Sequence, residues 1–104
     1  MSMLRTLLGL GPKVDLVQLI ESGATIVDVR TAGEYAGGHV KGSVNIPLDQ
    51  LMKNMKRIPK GKPVITCCAS GMRSGSAASS LRGQGYDAHN AGPWTKVNAI
   101  LVRS

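Results

Sequence analysis

The sequence predicts an α/β domain in which a mostly parallel sheet carries helices on both faces. Three observations predict it. Short β-branched runs alternate with stretches of helical periodicity, glycines and prolines punctuate the junctions, and each strand-to-strand connection is long enough for a crossover. In such folds ligands bind beyond the carboxyl ends of the strands. A cysteine-, glycine- and arginine-containing loop follows the third predicted strand at that end.

The elements follow in order. Residues 1–12 form an N-terminal arm: Leu4, Leu7, Leu8 and Leu10 suit a short amphipathic helix, which Gly9 or Gly11 and Pro12 end. The domain proper spans 13–104. Asp15 suits the cap of a helix with Leu16, Leu19 and Ile20 on one face and Gly23 at its end. Thr25 to Val29 reads as a buried strand, in which Asp28 and the following Arg30 are out of character. Thr31 and Glu34 have capping-box spacing and begin a brief helix stopped by Gly37-Gly38. Val44 and Ile46 mark a second strand closed by Pro47. Leu48, Leu51, Met52 and Met55 recur at helical spacing, so both methionines are expected in the core. A turn-rich linker, Ile58 to Lys62, leads to the third strand, Val64 to Cys67, and then to the loop. Ala77, Ala78 and Leu81 give the next helix a slim face, and Gly83 and Gly85 end it. Tyr86 to His89 reads as a fourth strand, and Pro93 opens a last helix with Trp94, Val97 and Leu101 on one face.

Composition narrows the function. One hundred and four residues hold one domain with a single modest core. Thirteen Lys and Arg against six Asp and Glu give a formal charge of +7, which favours anionic partners. The one concentration, Lys53, Lys56, Arg57, Lys60 and Lys62, suits a solvated helix end and loop. It is not interleaved with aromatics, so no nucleic-acid platform is expected. Two adjacent cysteines make no disulfide framework and point to a reducing, cytoplasmic setting. Arg5 interrupts the leading leucines and no usual cleavage signal follows, so no signal peptide is expected. No run approaches the ~20 apolar residues of a membrane span.

The stretch that carries chemistry is Cys68-Ala69-Ser70-Gly71-Met72-Arg73-Ser74. A thiol is a nucleophile as its thiolate, and a free cysteine ionises near ~8.5, so the charged form needs stabilising. The loop N–H groups, the positive end of the following helix and Arg73 can supply that. The same cradle would stabilise a sulfur-bearing or oxyanionic group transferred onto Cys68. Four residues separate Cys68 from Arg73, so the pocket is small. Strand alternation aims Cys67 away from Cys68, and zinc fits poorly because convergent ligands are missing.

Cys68 to Ser74 resembles the active-site loop of the rhodanese-like sulfurtransferases: a cysteine, two variable residues, glycine, a variable residue, arginine and serine. Further stretches fall in that family's order: Val27-Asp28-Val29-Arg30 with Glu34-Tyr35, then Gly38-His39-Val40 with Gly42-Ser43 and Asn45-Ile46-Pro47, and, more loosely, Asn90-Ala91-Gly92. The resemblance covers roughly residues 14–101. It implies a rhodanese-like fold around a five-stranded, mostly parallel sheet, and transfer of sulfane sulfur through a persulfide on Cys68. Thiosulfate, a persulfide or a polysulfide would be the donor, and cyanide or a thiol such as thioredoxin or glutathione the acceptor. No metal or organic cofactor is implied. By the same resemblance Ala69, Ser70, Gly71, Met72, Arg73 and Ser74 hold the anion, with the Arg73 guanidinium ordering backbone carbonyls or facing the anion. Asp28 and Arg30 brace the neighbouring strand end, with Arg30 pairing with Glu34, and His39 is a hydrogen-bonded structural residue. A monomer is expected. Two alternatives stay open: a phosphatase or arsenate reductase on the same fold, whose relatives carry one more residue between cysteine and arginine, and a non-catalytic binding module.

Overall fold

A computed structural model describes residues 15–103 of the chain. The expected arm over residues 1–12 lies outside the described residues. Helix α1 (Leu16–Glu21) starts where the Asp15 carboxylate accepts the Gln18 N–H at 3.2 Å. Strand β1 (Thr25–Asp28) leads to α2 (Ala32–Ala36), which opens on the expected capping box between Thr31 and Glu34. Strand β2 (Val44–Asn45) precedes two 3₁₀ segments, Leu48–Gln50 and Met52–Arg57. Strand β3 (Val64–Cys68), helix α3 (Met72–Gly83), strand β4 (Ala88–Pro93) and helix α4 (Trp94–Arg103) complete the order.

Among the described residues the sheet has four strands, all parallel, in the order β2-β1-β3-β4. The residue pattern itself marks four. The fifth, implied by the resemblance, has no counterpart between residues 15 and 103. Alternation along β3 sends Val64 and Cys68 into one apolar layer and Ile65 and Cys67 into the other. Ala77, Ala78 and Leu81 of α3 line the first layer, whereas Leu16, Leu19 and Ile20 of α1 and Trp94, Val97 and Leu101 of α4 line the second. Helices therefore cover both faces, as expected. None of the described helices is long and apolar enough to cross a membrane.

Two sequence expectations are corrected. The segment after Pro47 is not an α-helix: its turns are 3₁₀, with a break at Asn54 (φ −113°, ψ 15°). At three residues per turn, Leu48 and Leu51 stack inward while Met52 falls a third of a turn away and is 60% exposed. Only Met55 packs on the core. The fourth strand begins at Ala88 rather than Tyr86, because Tyr86 turns inward and its hydroxyl donates to the Met55 and Ile58 carbonyls at 2.9 and 3.0 Å. That strand also carries an irregularity: Thr66 is paired with Asn90 and Cys67 with Gly92, so Ala91 is extra. The bulge sets Gly92 beside the loop after Cys68.

Candidate active site

Cys68 ends β3 and is buried, at the carboxyl edge of a central strand. The chain then reverses through Ala69, Ser70 and Gly71 into α3. Gly71 has φ 109°, a left-handed conformation that strains any residue with a Cβ. A Cβ there would also sit 3.2 Å from Gly92 Cα. The turn brings the Gly71 N–H to 2.9 Å and the Ser74 N–H to 3.4 Å from the Cys68 Sγ, and the Ser74 hydroxyl to 3.3 Å. Burial by itself pushes the Cys68 thiol up. The Ser74 hydroxyl and the N–H groups of Ser74, Gly71 and Ser70 outweigh it and hold the thiol below its ordinary value.

Asn90 ties this cradle to β4, a role that no spacing rule marked in the sequence. Its Oδ1 accepts the Ser74 hydroxyl at 2.6 Å and the Gly92 N–H at 2.9 Å, and its Nδ2 donates to the Gly71 carbonyl at 3.2 Å. The Ser74 hydroxyl carries one proton and has two acceptors, Asn90 and the sulfur. A thiol at Cys68 can donate to Ser74 Oγ while the hydroxyl rests on Asn90. A thiolate calls for the hydroxyl to turn to sulfur, leaving Asn90 Oδ1 with its Gly92 N–H. Ser74→Ala removes that donor, so alkylation of Cys68 is expected to slow by about tenfold at neutral pH. Its pH profile should move upward, which a rate-against-pH series with iodoacetamide would record.

Arg73 is not aimed at the sulfur. Its guanidinium forms a two-point pair with the Glu34 carboxylate, Nη1 to Oε1 at 2.8 Å and Nη2 to Oε2 at 3.0 Å. Arg73 first, then the Thr31 N–H, lowers the Glu34 carboxyl to about 2. Arg30 is correspondingly not the carboxylate partner of Glu34. Its guanidinium clasps the buried Asp28 carboxylate, Nη2 to Oδ2 at 2.7 Å, and donates to the Glu34 and Gly38 carbonyls at 3.3 and 2.7 Å. It also lies 4.8 Å from the Trp94 ring. Asp28 and Arg30 are thus a brace between β1 and α2, one element removed from the sulfur. Ala69, Ser70 and Met72 are exposed on the crest of the loop. Beside it a groove of about 290 Å³ is lined by Val29, Thr31, Pro47, Leu48, Asp49 and Arg73.

Cys67 differs in kind from its neighbour. Burial first, then the negative charge of Asp28, pushes its thiol up to about 12, so it stays a neutral thiol at ordinary pH. The His39 Nδ1 lies 2.8 Å from the Tyr35 carbonyl and its ring stacks on Tyr35 at 3.8 Å, away from the sulfur cradle. No group of three or more His, Cys, Asp or Glu among the described residues stands together as a metal site.

Fold and site together define a small parallel α/β domain with a thiol held in an N–H cradle where a central strand meets a helix. The Rhodanese-like domain model matches residues 13–93, and the chain belongs to that family. An uncharacterized protein of Bacillus subtilis, YqhL, is 45% identical over 62 residues, 60% of this chain and 49% of that protein. A protein of Allochromatium vinosum named sulfurtransferase is 38% identical over 61 residues, 59% of this chain and 57% of its own length. The matches thus span about half of these relatives. Among solved structures, a rhodanese-related protein of Thermoplasma volcanium superposes with a TM-score of 0.71 at 28% identity, over 82% of this chain and 84% of that one.

Proposed function

We propose that this chain is a sulfurtransferase that moves sulfane sulfur from a donor to a thiophilic acceptor through a persulfide on Cys68. The observation that carries the reading is the convergence of the Gly71 and Ser74 N–H groups and the Ser74 hydroxyl on Cys68 Sγ, which stabilises the thiolate form. The thiolate attacks the outer sulfur of the donor. The donor's S–S bond breaks, its electron pair leaves with sulfite or with the donor thiolate, and Cys68 becomes a persulfide anion. Cyanide or an acceptor thiolate then takes the outer sulfur, and the bond's electron pair returns to Cys68. Charge and electrons balance in both steps with no metal or organic cofactor.

The loop has one cation, and Glu34 neutralises it, so the reading favours a protein persulfide or small polysulfide as donor, with thiosulfate as an assay substrate. A thiol of a reducing compartment, such as thioredoxin or glutathione, suits the acceptor role. A phosphatase reading fits less well, because a transferring phosphoryl group needs the arginine in the cradle and Arg73 is turned onto Glu34. Steady-state assays test this. Higher catalytic efficiency with glutathione persulfide than with thiosulfate, and no hydrolysis of an aryl phosphate, are expected. Efficient phosphate hydrolysis would overturn sulfur transfer, and a strong preference for thiosulfate would overturn the donor assignment.

A further inference from the structure

Arg73 is the only charged residue between Cys68 and Ser74, and its neighbour Ser74 places both a hydroxyl and an N–H on the sulfur. A guanidinium at this position would ordinarily favour an incoming dianion. Here both of its outer nitrogens are committed to Glu34, at 2.8 and 3.0 Å. Glu34 is itself fixed: its Oε1 accepts from the Thr31 N–H and hydroxyl, each at 3.1 Å, as part of the box that starts α2. The groove that Arg73 lines is otherwise apolar apart from Thr31 and a second carboxylate, Asp49.

We propose that Glu34 is a specificity-determining residue, which withholds the cation of Arg73 from the sulfur site and so turns the site from compact dianionic oxyanions toward persulfide and polysulfide donors, whose reacting sulfur carries at most one charge. The charge assignment stands on the ion pair. Its consequence for donors rests on the sulfur-transfer reading, and the two can fail separately.

Glu34→Gln isolates the charge, because glutamine still completes the capping box yet cannot hold Arg73 in an ion pair. The KM for thiosulfate is expected to fall about three- to fivefold, the size of one exposed ion pair, with little change for glutathione persulfide. A residue that merely held the loop in place would give the opposite sign, a weaker and slower enzyme with both donors. Alkylation of Cys68 supplies a readout free of turnover. The rate ratio of iodoacetate to iodoacetamide should rise about three- to fivefold in Glu34→Gln and return to the parent ratio in Glu34→Gln/Arg73→Gln. A ratio that does not move, or a rise that survives loss of Arg73, overturns the assignment. If the ratio moves as expected and no donor passes sulfur to Cys68, the charge assignment stands and the sulfur-transfer reading falls.

Discussion

Cys68→Ser is expected to abolish sulfur transfer, leaving less than about one part in 10³ of the parent rate, while Cys67→Ala keeps most of it. The two residues are adjacent, but the strand separates them. Cys68 faces the layer shared with α3, receives the Gly71 and Ser74 N–H groups and has the Ser74 hydroxyl at 3.3 Å. Cys67 faces the opposite layer among Ile26, Ile65 and Val97, and its thiol is pushed up to about 12. Serine at 68 would occupy the same cradle, but an alkoxide is far harder to form than a thiolate. Cyanide-dependent turnover of the two variants checks the contrast, and substantial activity in Cys68→Ser would remove the nucleophile from the account.

The second large effect is on stability. Arg30→Ala is expected to cost about 3–5 kcal/mol, since it leaves the Asp28 carboxylate, wholly buried, without its counter-charge. That is a large share of the ~5–15 kcal/mol by which a domain is stable, so the variant should unfold at much lower denaturant. The loss reaches the site as well. Arg30 anchors the Glu34 carbonyl within α2 and the Gly38 carbonyl just beyond its C-terminus, and Glu34 in turn holds Arg73. Urea unfolding of Arg30→Ala beside Asp28→Asn/Arg30→Met would separate the parts. The double variant should recover much of the loss, because it removes the charge together with its partner. A single-variant cost below about 1 kcal/mol would mean that the brace does not hold the strand end.

The Cys68 thiol also couples stability to pH. Its folded-state pKa lies below the ordinary value, so the contribution is fully present above the unfolded thiol's pKa. It is lost as pH falls through the lower folded value.

What the sequence revealed follows from how local each signal is. The Thr31–Glu34 box, the Asp15 cap and the strand-loop-helix junction at Cys68 are short-range patterns, and the structure has each of them. The opposite aim of Cys67 and Cys68 follows from a period of two and needs no long-range contact. The partners of Arg73 and Arg30 were not legible in the same way. Glu34 lies four residues after Arg30 and thirty-nine before Arg73, yet the fold gives its carboxylate to the distant arginine and its carbonyl to the near one. Asn90 reaches Ser74 across sixteen residues of chain, a contact that only the packing of α3 beside β4 creates. The helical spacing from Leu48 to Met55 misled because Leu48 and Leu51 satisfy a 3₁₀ turn as well as an α-helical one.

The most direct test of the central claim is intact-mass spectrometry of the reduced, desalted protein after brief exposure to glutathione persulfide or thiosulfate. One added sulfur that is absent in Cys68→Ser, present in Cys67→Ala and discharged by cyanide is the predicted result. A protein that gains no sulfur from either donor, or that gains it without Cys68, would contradict it.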